Sequence, residues 1–209
     1  MSQWAIDRDY ASKNYSGGVV IKQKKGKVEK RRFTNAEIKK VFALDSRMAR
    51  LMQVFLYTGC RRSELLNLKR EDCHLDEHYF YIRQAKTENG IRVVPIHDCI
   101  YETVKTFYNE NNPYVFSTTK GLKWGEDNWT GQLREFSQAH GIHHTTHETR
   151  HTFISLATVY ELNQTMLKKI VGHVTEQSLT ERVYTHITIA QLLEAVNRIP
   201  SPSALPEES

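Results

Sequence analysis

Apolar positions in the first well-patterned stretch recur every three or four residues. Thr34-Asn35-Ala36-Glu37 opens it with a hydroxyl and a carboxylate three residues apart, a capping box that predicts a helix start. Met48, Leu51, Met52 and Phe55 continue the helical spacing toward Gly59, a residue suited to a helix stop. Residues 63–68 read as one or two further helical turns. The period then changes. "HYFYIRQ" and "IRVVPI" are rich in aromatic and β-branched residues, and the "KTENG" between them has turn chemistry. Two antiparallel strands are predicted there, with "CHL" ahead of them as a third. From Asp98 the helical period returns, with amphipathic runs over 100–108, 129–139, 153–160 and 189–196 and candidate caps at Asp98 and Asn163. No internal repeat is visible. The pattern predicts an α+β fold, mainly α with a small antiparallel sheet, over residues 31–199.

The flanks differ in character. Residues 1–30 are too few to fold alone and read as a short helix and linker, the remnant of an upstream domain not contained in the chain. Residues 200–209, "PSPSALPEES", are acidic and Pro/Ser-rich and read as a flexible tail. Residues 22–32 pack seven cations against one acid, a solvated linker that is also able to touch phosphates.

Composition narrows the classes. The 209 residues are 39% hydrophobic and 25% charged, a globular balance that suits one sizeable core. No apolar run is long enough to span a bilayer, and the start has no secretory h-region. Cys60, Cys73 and Cys99 are scattered and form no C-x-x-C, which argues against a disulfide framework or a thiolate zinc site and fits a reducing cytoplasm. The net charge of +5 leans toward a polyanionic partner.

The histidine-rich run "HGIHHTTHETRHTF" poses the chemical question. Within it, HETRH (His147 to His151) matches H-E-x-x-H, in which two imidazoles one helical turn apart bind zinc. A zinc protease needs a third protein ligand. The extended form fails, because Ile154 stands in place of its Gly and Ala157 in place of its third His. Glu161 and His173 remain as nominees without a recognisable context. His140, His143 and His144 read as partly buried groups bonded to backbone at a helix start. The same letters also contain His147-x-x-Arg150, a pair able to grip a phosphate.

Other residues suit the phosphate alternative. In "TGCRRSELLNL", Arg61 follows a helix-ending glycine and precedes a new helical segment, where its planar fork can reach across a cleft. Lys86 lies at the start of the strand–strand turn. "IVGHVTEQSLTERVYTH" places His173 after Gly172 and eleven residues before Tyr184.

In that order, Arg61, Lys86, His147-x-x-Arg150, Gly172-His173 and Tyr184 resemble the motifs of the tyrosine recombinases, the phage-integrase family. "TGCRRSELLNLKRED" is similar to the family's box I and "KTENGIRVVPI" to its lysine hairpin. "HETRHTF" resembles box II, "VGH" the third box and "ERVYTH" the tyrosine segment. The resemblance covers nearly all of 31–199, and the gap from His173 to Tyr184 is slightly longer than in many members. It implies a helical tyrosine-recombinase catalytic domain acting on double-stranded DNA with neither metal nor cofactor. Tyr184 would attack a backbone phosphate to form a 3′-phosphotyrosyl link, with His147 taking the phenolic proton. Arg61, Arg150 and His173 would hold the phosphate oxygens, and Lys86 would protonate the leaving 5′-oxygen. Glu64 would steady a neighbouring basic group, and Glu148 and His151 would be bystanders or helix-packing groups. The family further implies a homotetramer on DNA; a monomer is expected for the isolated chain, and the lack of a long apolar run predicts no membrane partner. Two rival readings stand beside it: a type IB topoisomerase-like strand transferase, which shares the chemistry, and a DNA-binding protein that keeps the fold without activity.

Overall fold

Thr34 starts the first helix, α1 (Asn35–Ala43), as its spacing predicts. Its hydroxyl accepts from the Glu37 amide at 3.1 Å, while the Glu37 carboxylate accepts from the Thr34 amide at 2.9 Å. The computed structural model describes residues 31–83, 91–172 and 187–207, all within the second of the chain's two compact units, Arg31–Ser209. The helical spacing toward Gly59 does not form one rod. Leu44 is extended, and Ser46 caps a second helix, α2 (Arg47–Thr58), by accepting from the Ala49 amide at 3.1 Å. Apolar residues on both sides of the break face one core, which hides it from a periodicity reading.

Helix α2 is the centre of that core, with Leu51, Met52, Val54, Phe55, Leu56 and Tyr57 fully buried. It ends where expected, at Gly59 in the left-handed region (φ 62°), with the Gly59 amide donating to the Phe55 carbonyl. A Cβ at Gly59 would lie 2.4 Å from the Phe153 ring, so the glycine also permits a close helix contact. After α2 come the short α3 (Arg62–Leu66), a 3-10 turn (Arg70–Asp72), and strands β1 (Cys73–His74), β2 (Tyr79–Ile82) and β3 (Arg92–Pro95). The sheet is antiparallel in the order β1-β2-β3, as predicted, with Phe80 opposite Val94 and Ile82 opposite Arg92.

Five further helices complete the eight among the described residues: α4 (Asp98–Phe107), α5 (Glu126–His140), α6 (Thr146–Val159), α7 (Gln164–Val171) and α8 (Ile189–Val196). Asn163 caps α7 as expected, its side-chain oxygen accepting from the Thr165 and Met166 amides. Asp98 does not cap α4. It occupies the first helical position, and the cap is His97, whose Nδ1 accepts from the Cys99 amide and whose Nε2 donates to the Ile199 carbonyl at 2.8 Å. Helix α6 begins seven residues ahead of its amphipathic run, because Thr145 and Glu148 form a capping box. Helices α1, α4, α5 and α6 pack around α2, while α7 and α8 pack on β3.

The C-terminal composition suggested a flexible tail from residue 200, and the structure corrects this through residue 207. Leu205 is 3% exposed, Pro202 is buried in a 3-10 turn (Pro202–Ala204), and Tyr57 Oη donates to the Pro200 carbonyl at 2.9 Å. Asn35 Nδ2 donates to the Pro206 carbonyl at 3.0 Å, so the segment is bound back onto α1. Among the described residues, no helix is long and apolar enough to cross a membrane.

Candidate active site

Arg61 stands at the cap position of α3, where extended backbone turns the chain out of the Gly59 corner. Its amide donates to Glu64 Oε2 at 2.8 Å, and its Nη1 donates to Glu64 Oε1 at 2.7 Å. Glu64 is buried, whereas the Arg61 side chain remains 44% exposed.

Glu64 therefore does steady a basic group, but it holds a second one as well. Arg92, buried on β3, grips the same carboxylate with Nη1 to Oε1 at 3.0 Å and Nη2 to Oε2 at 2.8 Å. Its Nε donates to the Ile170 carbonyl at the end of α7, at 2.7 Å. Burial pushes the Glu64 carboxyl up, but bonds from Arg92 and then Arg61 outweigh it and hold the group below the usual carboxylate range. Burial likewise pushes Arg92 down, and Glu64 more than restores it. Gly172 lies against this guanidinium: a Cβ there would sit 3.2 Å from Arg92 Cδ, Cζ and Nη1.

Arg92 was not among the residues singled out from sequence. A lone arginine in "IRVVPI" reads as an exposed strand residue, and its partner Glu64 is 28 positions away. The available signal was the strand alternation, which puts Arg92 on the same face as the buried Val94 and Ile96 and leaves Ile91 half exposed.

Arg150 is inside, 4% exposed, on the first turns of α6. Its Nη1 donates to the Gly59 carbonyl at 2.7 Å and its Nη2 to the Val171 carbonyl at 2.6 Å. Arg150 thus ties the corner before Arg61 to the helix end before His173. Burial, then repulsion from Arg61 and Arg92, pushes its guanidinium down to about 10, so it is still a cation at neutral pH.

His147 is exposed one turn before Arg150, and its Nε2 lies 2.9 Å from Nε2 of His151, the rings meeting edge to face. Glu148 closes the α6 capping box, its carboxylate accepting from the Thr145 amide at 2.7 Å. It is accordingly a helix-start group, and His151 is a direct neighbour of His147. Glu161 lies beyond the far end of α6, about 20 Å from His147 at helical rise, and cannot complete a metal site with it. Among the described residues, no three His, Cys, Asp or Glu side chains gather as a metal site.

The other histidines correct the expected backbone bonding. His144 is buried, stacks on Phe33 with ring centroids 3.9 Å apart, and bonds through Nε2 to the Glu37 carboxylate at 3.1 Å. His140 is half-buried beside the Phe136 ring and His143 is exposed. The structure thus brings Arg61 and Arg150 together through Gly59, Glu64 and Arg92, with His147 one turn away. Lys86, His173 and Tyr184 lie outside the described residues.

Comparison with known proteins assigns the chain to a family. The model described as "Phage integrase family" covers residues 25–191. The chain belongs to the phage integrase family. Tyrosine recombinase XerA of Pyrococcus furiosus is 28% identical over 152 residues, 68% of this chain and 53% of that protein. Among solved structures, the integrase from mycobacterium phage Brujita superposes with a TM-score of 0.68 at 17% identity, covering 98% of this chain and 69% of that one. A lambda integrase tetramer bound to a Holliday junction gives a TM-score of 0.59 at 18% identity, covering 84% and 55% respectively. These structural likenesses show the fold. This phage-integrase chain spans about half the length of the curated relatives it matches.

Proposed function

We propose that this chain is the catalytic domain of a tyrosine-type site-specific DNA recombinase, cleaving and rejoining strands through a 3′-phosphotyrosyl intermediate in integration or excision of a mobile element. One observation carries the reading. In a member of this family, Arg61 and Arg92 share a single carboxylate, Glu64, and Arg150 is tied to the neighbouring Gly59 carbonyl, leaving excess positive charge beside the solvent-facing Arg61. Such a site attracts a phosphodiester and stabilises the charge that builds on its non-bridging oxygens during displacement.

Tyr184 is the nucleophile. A phenol ionises near pH 10, so attack at neutral pH needs a proton acceptor, and His147 takes that role. Arg61, Arg150 and His173 hold the non-bridging oxygens. Lys86 gives a proton to the 5′-oxygen as its bond to phosphorus breaks. The tyrosyl ester keeps the energy of the broken bond, and a 5′-hydroxyl of another strand reverses the step. Side chains supply the acid, the base and the charge, so no cofactor is called for. The partner is double-stranded DNA in the cytoplasm of a host cell. The lambda integrase tetramer on a Holliday junction suggests the same assembly here, with a monomer when DNA is absent.

The test is a pool of nicked duplexes with randomised sequence on both sides of the nick, incubated with the protein in EDTA and resolved under denaturing conditions. The expected result is a covalent protein–DNA adduct enriched for one sequence, abolished in Tyr184→Phe while salt-sensitive binding persists. An adduct that survives Tyr184→Phe, or that needs a divalent metal, overturns the mechanism. Supercoil relaxation without sequence preference would make the chain a topoisomerase instead.

A further inference from the structure

Glu64 serves two arginines with very different surroundings. Arg92 takes both carboxylate oxygens in a buried fork, and Arg61 adds one guanidinium bond and its backbone amide. An ionised carboxylate offers about four lone-pair positions. The four bonds fill them, and only one comes from the guanidinium that opens to solvent. Arg61 therefore keeps most of its five N–H donors for another anion.

We propose that Arg92 is a positioning residue whose task is to neutralise Glu64 from inside, so that Glu64 aligns Arg61 without capturing it. The proposal rests on the strand-transfer reading above and adds a residue to it. Without Arg92, the carboxylate keeps its charge in a buried site with two acceptor positions empty. Arg61 is bonded to it already and would close onto it as the new fork, an arrangement charge-assisted hydrogen bonds favour strongly. The phosphate oxygens would then compete with a carboxylate for the same donors. Arg92 is built to resist displacement, since its Nε holds the Ile170 carbonyl and Gly172 packs over its side chain. It also stands on β3, the strand that follows the Lys86 segment in the sequence. One side chain thereby links box I, the lysine hairpin and the helix end that leads to His173.

A purely structural Arg92 and a charge-balancing one predict different outcomes for a second substitution. The measurement is the single-turnover rate of adduct formation on the nicked duplex enriched by the natural sequence, at saturating protein, below the unfolding midpoint of every variant. Arg92→Met keeps length and apolar bulk; it is expected to slow the step about 100-fold, the scale of losing one charge-stabilising donor. Glu64→Gln in the same chain removes the carboxylate that captures Arg61 and is expected to restore about 10-fold of that loss, a coupling typical of residues in contact. If Arg92→Met does not fold, Arg92→Lys serves in its place, because a single ammonium cannot occupy both oxygens; relief by Glu64→Gln is again expected. The proposal fails if the double variant is as slow as the single one, or if a folded Arg92→Met reacts at the natural rate. Absence of any adduct with the natural sequence would instead overturn the strand-transfer reading itself.

Discussion

His147 and His151 face each other across one turn of α6 with their Nε2 atoms 2.9 Å apart. One of these nitrogens must carry a hydrogen and the other must accept it, so the pair shares a proton at that contact. The shared hydrogen bond fixes the His147 ring and leaves Nδ1 as its other polar atom. The spacing that resembles a zinc motif here lets one imidazole bond the other. We expect His151→Phe to slow adduct formation about 10-fold, and His151→Gln, which keeps an amide near the ε position, to stay within about 3-fold of the natural rate. Equal rates for the two variants would show that the hydrogen bond to His147 contributes nothing to the step.

Two glycines with similar backbone angles should respond differently to a methyl group. Gly59 (φ 62°) and Gly172 (φ 69°) both favour the left-handed region, which costs an alanine about 1 kcal/mol. At Gly59 the new Cβ would also meet the rigid Phe153 ring at 2.4 Å, whereas at Gly172 it meets the longer Arg92 side chain at 3.2 Å. Gly59→Ala is expected to lose about 3 kcal/mol in denaturant unfolding and Gly172→Ala about half that. The reverse order would mean that Arg92 is held more rigidly than an aromatic ring in the core.

Acid should weaken the α1 end of the molecule through Glu37. Burial pushes its carboxyl up, but the Thr34 amide and then His144 outweigh that and hold it below its ordinary value of 4.5. A depressed carboxyl contributes stability that is fully present above pH 4.5 and is lost as pH falls through the folded-state value. Urea unfolding of Glu37→Gln should therefore show a deficit against the natural protein at pH 7 that narrows below pH 4.5. A deficit unchanged down to pH 3 would mean that the carboxylate's charge contributes nothing there.

Elements specified by neighbouring residues were readable in the chain, and elements specified by distant partners were not. Thr34 and Glu37 announce α1 because both halves of the capping box lie within four positions. Asn163 announces α7 for the same reason. Thr145 and Glu148 carry an identical signal, but the histidine run and the later apolar stripe drew the expected start toward Phe153. Arg61 and Arg150 stood out by motif; that they meet across Gly59 needs the packing of α6 on α2. Arg92 could not be read as a charge partner, since the carboxylate that makes its burial tolerable arrives from another segment. The tail misled for a related reason. Its proline and serine content describes a chain without a core of its own, yet Leu205 borrows the core beside α1.

The manner in which Arg150 is held has a consequence for anything that approaches it. Its two bonds end on the Gly59 carbonyl, at the close of α2, and on the Val171 carbonyl, the last residue of α7. Each is the negative pole of a helix, worth about half an elementary charge. The cation is thus kept in the interior by two peptide dipoles rather than by an acid of its own. Dipoles make burial tolerable without cancelling a monopole, so the field of this guanidinium reaches outward undiminished in sign, and an incoming anion meets a full charge whose solvation shell has been replaced by fixed main chain.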